Sequence, residues 1–386
     1  MEKFKFIPYG RQDITEKDIE SVVKVLRSDF LTQGPAVPKF EKKLCNYTGS
    51  KYAVAVNSCT SALHIACLAL DLGPGDVLWT SPITFVASAN CALYCGATVD
   101  FVDIDPDTAL MSVQALKDKL QEAEKNGILP KIIIPVHFSG QSCDMKDISE
   151  LGKKYGFKII EDAAHAIGAS YLASKIGSCQ YSDVVVFSFH PVKIITTGEG
   201  GAALTNSLEV ANKMRLLRSH GITRNPKEMI NHKEGDWFYE QISLGFNYRM
   251  SDIQAALGSS QLSRLNEYVT RRSEIACWYD SQFENIPIDP LIQKKDRKSS
   301  YHLYVIRVKN KKSERDRLYE YLKNKNICVN LHYIPIYRQP FFNMKNRLPG
   351  SEKHYETAIS LPIFPTISNA NLKKIVQNIC EFYECS

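Results

Sequence analysis

The sequence predicts an α/β protein, and three observations predict it. Between residues 52 and 189 six short apolar runs recur, nearly continuous rather than alternating, as strands buried on both faces require. Helix-patterned stretches, such as "TSALHIACLALDLG" and "MKDISELGKKYG", separate several of them. That rhythm belongs to a largely parallel sheet covered by helices. The chain has 386 residues, 44% of them hydrophobic, enough for two or three ordinary domains or one large domain with a satellite.

Taken in order, the chain first offers "TEKDIESVVKVLRSD". Thr15 and Asp18 form a capping-box start, and Ile19, Val22, Val23 and Leu26 follow at helical spacing. The strand-like runs come next: "YAVAV" (52–56), "DVLWT" (76–80), "TVDFVDI" (98–104), "KIIIPVHF" (131–138), "FKIIED" (157–162) and "DVVVFSF" (183–189). After about residue 260 the texture changes. One long helical pattern, "SDIQAALGSSQLSRLNEYVTRRSEIACWYDSQFE", leads out of the first domain. Strand-like "HLYVIRV" (302–308) and "CVNLHY" (328–333) then flank helical "SERDRLYEYLKNKN". This divides the chain into a large α/β domain, 1–260, and a smaller α+β domain, 261–386.

Charge and cysteines exclude several classes. Lys plus Arg is 48 and Asp plus Glu 42, a formal +6, which is mild for this length. The basic runs "KKDRK" (294–298) and "KNKKSER" (309–315) carry no aromatic interleaving. They read as solvated loops rather than a nucleic-acid surface. The start, "MEKFKFIPYGRQD", has no apolar segment of a signal peptide, and no run of membrane-spanning length occurs. The eleven cysteines include no CxxC, and Cys67, Cys91 and Cys95 lie in apolar runs. A reducing, cytoplasmic setting is expected.

In doubly covered sheets ligands bind beyond the carboxyl ends of the strands, and four features lie there. "NSCTSALH" opens a helix after a strand, so free N–H groups and the hydroxyls of Thr60 and Ser61 could hold a phosphate; an ordinary N-cap has the same look. No GxGxxG or P-loop pattern accompanies it. Asp162, in "IIEDAAHAIG", ends a buried run, where a carboxylate needs a partner. That partner could be a structural cation or a protonated heterocycle; no HExxH or Cys/His cluster completes a metal shell. In "SFHPVKIITTGEGG" a strand ends at Ser188 and His190, and Lys193 follows Pro191. A lysine desolvated there can act as a nucleophile, while the glycines serve a turn. Phe85, in "SPITFVASAN", is either core or a stacking platform for a planar group. Phosphate site, buried carboxylate, lysine and aromatic plate together suit pyridoxal phosphate. Its aldehyde takes a lysine, and its ring withdraws electrons when the nitrogen is protonated.

From "FIPYGRQDIT" to "LPIF" the sequence resembles the DegT/DnrJ/EryC1/StrS sugar aminotransferases, through "LTQGP", "NSCTSALH", "EDAAHAIG", "SFHPVKIITTGEGG", "NYRMSDIQAALG" and "HYIPIY". The resemblance implies fold type I, a pyridoxal 5′-phosphate cofactor and a homodimer with shared sites. It makes Lys193 the Schiff-base lysine and Asp162 the partner of the pyridine nitrogen. It places His165 near the ring hydroxyl and Phe85 over the ring. Thr60, Ser61 and Ser188 then hold the phosphate, with Asn247 reaching the neighbouring subunit's cofactor. Tyr9, Leu31, Thr32, Gln33, Gly34, Ser58, His332 and Tyr333 match sugar-nucleotide contacts. Members with histidine in place of the lysine are dehydratases; Lys193 favours transamination.

The branch it resembles most makes UDP-4-amino-4,6-dideoxy-N-acetyl-β-L-altrosamine on the pseudaminic acid route, with glutamate as amino donor. Related aminotransferases of the legionaminate, bacillosamine or perosamine type, or a non-catalytic sugar-nucleotide-binding regulator, are the alternatives. Arg215, Arg218, Arg224 and Arg249 are candidates for the donor carboxylate.

Overall fold

The structure is a computed structural model that describes residues 6–231, 234–309 and 312–384. The N-terminal pentapeptide and positions 310–311 of the second basic run lie outside the described residues. The first half carries α1 (Glu16–Leu26), α2 (Ala36–Thr48), β1 (Tyr52–Val56), α3 (Cys59–Ala69), β2 (Val77–Thr80), α4 (Ala87–Tyr94), β3 (Thr98–Phe101) and α5 (Val113–Asn126). Then come β4 (Ile132–Ile134), α6 (Met145–Tyr155) and β5 (Lys158–Asp162). Two short strands, β6 (Ser170–Tyr171) and β7 (Ser174–Lys175), precede β8 (Val184–Ser188), β9 (Gly201–Thr205) and α7 (Leu208–Arg218). A small pair, β10 (Ile222–Thr223) and β11 (Glu240–Gln241), leads to α8 (Asp252–Gln261) and α9 (Leu265–Phe283). The remainder is β12 (Ile288–Pro290), β13 (Arg297–Lys298), β14 (Tyr304–Val308), α10 (Lys312–Asn324), α11 (Pro349–Thr357), β15 (Ala358–Leu361) and α12 (Asn369–Glu384).

The central sheet has seven strands in the order β1-β9-β8-β5-β4-β2-β3. Every neighbour pair from β8 to β3 is parallel, and β9 alone runs antiparallel to both its neighbours. All six expected runs contain strands, five of them trimmed: "KIIIPVHF" keeps only Ile132–Ile134 because Pro135 cannot donate to a ladder. Both faces are covered. Along β1, Ala53 and Ala55 enter one core while Val54 and Val56 enter the other, the two-residue alternation of a strand between layers.

The expected long helix after residue 250 is broken. A 3₁₀ turn at Leu262–Arg264 separates α8 from α9, beside Gly258, Ser259 and Ser260, where the Ser263 hydroxyl donates to the Ser260 carbonyl at 2.6 Å. α9 then serves two cores: Leu265 and Tyr268 join the large one, and Ile275, Ala276, Tyr279 and Phe283 the second. That second core packs around the antiparallel sheet β12-β14-β15 and also takes in Ile7 from the N-terminal segment.

Arg272, in the middle of α9, is 1% exposed, and its Nη1 donates to the carbonyls of Tyr301, His302 and Ile363 at 3.2, 3.3 and 3.0 Å. Burial lowers its pKa to about 10.

Two further expectations fail. "CVNLHY" is not a strand; only isolated bridges tie Ile327 to Ile7 and Asn330 to Ser360. The first basic run is not wholly a solvated loop. Arg297 is buried, stacks on Tyr171 and pairs with Asp144 and Asp296. α1 keeps its capping box but turns its apolar stripe outward: Ile19 and Leu26 are exposed, whereas Asp18 is buried against Arg264 and Gln261.

Candidate active site

The site forms where β1, β5 and β8 end. Asp162 is the last residue of β5 and lies opposite Val186 of β8. β8 ends at Ser188, and the chain turns before returning as β9. Phe189 donates to the Gly200 carbonyl and Thr197 to the Phe189 carbonyl, closing the loop at 2.9 and 3.0 Å. Gly198 takes φ +82° in this turn, a region that glycine enters at little cost. Lys193 sits in the loop, its N–H on the His190 carbonyl at 2.9 Å. The two residues read from sequence as a pair therefore flank neighbouring strand ends and line one cavity of about 640 Å³.

The cavity floor is polar and largely sealed. Asp162 is 5% exposed; its Oδ1 accepts the Ala164 N–H at 3.0 Å and its Oδ2 the Ser88 hydroxyl at 2.6 Å. Lys193 is half-buried by area because one face lines the cavity. Among the described residues no hydrogen bond or ion pair holds its amine. Burial lowers its pKa to about 8, against the opposing pull of Cys59 and Asp162. An amine in that range gives and takes a proton near neutrality.

One wall is a cluster of neutral imidazoles. His165 Nδ1 accepts the Ser139 N–H at 3.3 Å, so the ring proton sits on Nε2, 3.2 Å from the Tyr333 hydroxyl. That arrangement leaves the Tyr333 proton free to point elsewhere. The His302 ring lies 4.3 Å from that of His165. Burial, with Lys193 and His332 nearby, holds His165 well below the usual histidine range; His332 is pushed down to about 3, chiefly by burial. Burial raises the Tyr333 pKa, so it stays a phenol.

The opposite end is the start of α3. Its first backbone N–H groups have no intrahelical acceptors. Ser58 caps the helix by accepting the Ser61 N–H at 3.1 Å. Gly201 of β9 packs tightly here: a Cβ on it would lie 2.6 Å from the Cys59 nitrogen. The absence of a side chain thus brings this helix start onto the sheet end. Thr60 and Ser188 line the cavity, making with the helix dipole a cradle for an anion. Phe85 is 60% exposed and lines the cavity, so it is not a core residue.

The structure brings together Lys193, Asp162, His165, Phe85, Thr60 and Ser188. Tyr9, Ser58, His332 and Tyr333 line the same space. Ser61 is buried behind it, its hydroxyl on Asn57 Oδ1 at 2.7 Å. Leu31, Thr32, Gln33 and Gly34 lie outside the lining, as does Asn247, which is exposed. None of the four arginines reaches it; Arg218 is committed to Glu41 and the Ala55 carbonyl.

Sequence reasoning missed Ser88, Cys59, Glu199, His302 and Gln339, all in the lining. Ser88 had a faint signal, one helical turn after Thr84 and three residues past the aromatic. Among the described residues no group of three or more His, Cys, Asp or Glu is set to hold a metal, and no helix is long and apolar enough to cross a membrane.

The residues present fit pyridoxal phosphate: an amine without a partner, a carboxylate with a lobe to spare, an anion cradle and an exposed aromatic face share one cavity. Fold and site define the class, a pyridoxal-phosphate-dependent aminotransferase of fold type I. The chain belongs to the DegT/DnrJ/EryC1/StrS aminotransferase family, whose model matches residues 12–380. It is 38% identical to the UDP-4-amino-4,6-dideoxy-N-acetyl-beta-L-altrosamine transaminase of Campylobacter jejuni, with 98% of each chain covered. Among solved structures, PseC of Helicobacter pylori, an aminotransferase involved in pseudoaminic acid biosynthesis, superposes with a TM-score of 0.90 at 33% identity, covering 99% of this chain and 100% of that one. A Streptococcus pneumoniae protein solved in PLP and PMP forms matches at 0.89 and 31%, covering 98% of this chain and 99% of that one.

Proposed function

We propose that this aminotransferase moves an amino group from glutamate to C4 of a UDP-linked 4-keto-6-deoxy-N-acetyl sugar, forming UDP-4-amino-4,6-dideoxy-N-acetyl-β-L-altrosamine for pseudaminic acid. The observation that carries the chemistry is the pairing of Lys193 and Asp162 at adjacent strand ends beside the start of α3. The substrate follows from the relatives' names and from a cavity with room for more than a cofactor.

The bound cofactor would supply an electron sink and a carrier for the amino group. Asp162 holds its ring nitrogen in the protonated form. Thr60, Ser188 and the α3 N–H groups hold its phosphate, with Ser61 bracing Asn57 and Ser58 behind them. Phe85 would cover the ring face, and His165, hydrogen-bonded to Tyr333, would lie near the ring hydroxyl. Lys193 first anchors the cofactor. Once displaced, it takes the proton from the α-carbon of glutamate and later delivers one to C4 of the sugar. The neutral histidines keep positive charge low around that amine. Tyr9, His332 and the Leu31–Gly34 segment serve the sugar nucleotide.

The enzyme works as a homodimer in the cytoplasm. The exposed apolar side chains Ile14, Ile19, Leu26, Phe30 and Leu31 favour a covering partner, and Asn247 reaches the phosphate in that partner's site. The test is direct. Purified protein is given glutamate and then UDP- or GDP-linked 4-keto-6-deoxy sugars, and the product is read by NMR. A 4-amino sugar formed only from the UDP-linked N-acetyl substrate is expected. Amination of a GDP sugar alone would reassign the substrate.

A further inference from the structure

Asp162 is held from a second side by a chain of hydroxyls. Ser88 is fully buried near the start of α4 and donates to Asp162 Oδ2 at 2.6 Å. Its oxygen lies 3.0 Å from the Thr84 hydroxyl. A serine hydroxyl has one proton, and an ionised carboxylate only accepts. The Ser88 proton is therefore committed to Asp162, and Thr84 must donate to Ser88. Each bond in such a series polarises the next. Phe85 sits between the two hydroxyl residues in sequence, so one short turn carries both the aromatic face and the chain.

We propose that Ser88, backed by Thr84, is a positioning residue for transamination: its hydroxyl keeps the Asp162 carboxylate aimed at the ring nitrogen of the cofactor. The inference rests on the reading of Asp162 given above. A hydrogen bond donated to a carboxylate favours its charged form. Without it, a carboxylate only 5% exposed keeps the Ala164 N–H alone among its hydrogen-bond donors. The carboxylate would then be held less firmly toward the ring nitrogen, and the ring would withdraw electrons less strongly. The nitrogen that links Lys193 to the cofactor then becomes more basic.

The test is a pH titration of the holoenzyme's visible absorbance band, with cofactor affinity measured separately by fluorescence titration of the apoprotein. Ser88→Ala is expected to raise the band's midpoint by roughly one pH unit. It should also lower kcat roughly tenfold with KM for glutamate little changed. Ser88→Cys, close in shape with a weaker donor, should fall between wild type and alanine. Thr84→Val should move the midpoint the same way by less, and it carries the test if Ser88→Ala does not fold. Weaker cofactor binding with an unmoved midpoint would make Ser88 merely structural and overturn the proposal. Asp162→Asn, run alongside, separates the two failures. A shift there with none in Ser88→Ala removes Ser88 alone; no shift in either removes the reading of Asp162 as well.

Discussion

At the floor of the cavity Asp162 and His165 each hold two hydrogen bonds and are 5% exposed, whereas at its rim Phe85 and Ile334 are 60% and 43% exposed. The floor is finished when one chain has folded. Its dipoles are fixed before any substrate arrives, which is where electrostatic stabilisation is most effective. The rim is apolar surface left in water, and the expected contacts Leu31–Gly34 and Asn247 lie outside the single-chain lining. One chain therefore completes the floor, while Leu31–Gly34 and Asn247 stand apart from the cavity that it lines.

The largest effect should come from the floor. Lys193→Ala should reduce turnover by ~10⁴-fold or more, and borohydride should no longer fix the cofactor to the protein. Cofactor still trapped covalently would end the assignment. Asp162→Ala should slow turnover by roughly 10²- to 10³-fold while cofactor remains bound; an unchanged rate would empty the floor of its electrostatic role.

The depressed pKa of Lys193 gives a pH test. Below about 8 the folded apoprotein carries this amine protonated, so reconstitution with pyridoxal phosphate should speed up by about tenfold per pH unit and level off above that value. A midpoint near 10.5, the ordinary lysine value, would show the amine to be in contact with water. At the rim, Asn247→Ala should weaken cofactor binding by about tenfold, one hydrogen bond to a charged group. Its mixed dimers with Lys193→Ala should regain one working site; no recovery would mean that the rim belongs to one chain after all. Phe85→Ala is the mildest, at roughly 0.5–1.5 kcal/mol of cofactor affinity, read by equilibrium titration.

The sequence announced the floor better than the walls, for physical reasons. "YAVAV" is a strand from end to end because each of its residues meets a covering layer or β9. Lys193 and Asp162 were legible because a lysine and a carboxylate after buried runs are out of place unless used. "CVNLHY" misled because its alternation serves cavity and core rather than a ladder: His332 turns to the Ser360 hydroxyl at 2.8 Å, and Val329 is buried in the second core. Periodicity in α1 revealed a face without saying what covers it: Asp18 is buried, while Ile19 and Leu26 are exposed. Ser88 was nearly silent, since a serine in a helix start looks like any other. Only its distance to Asp162 distinguishes it.

Arg272 works as a rivet. Its guanidinium spreads one charge over three carbonyls from two separate stretches of the chain. Swinging either stretch away would strand a buried cation at a cost of several kcal/mol. His302, one of the residues so held, also lines the cavity, so part of that wall is fastened by a charge outside the lining.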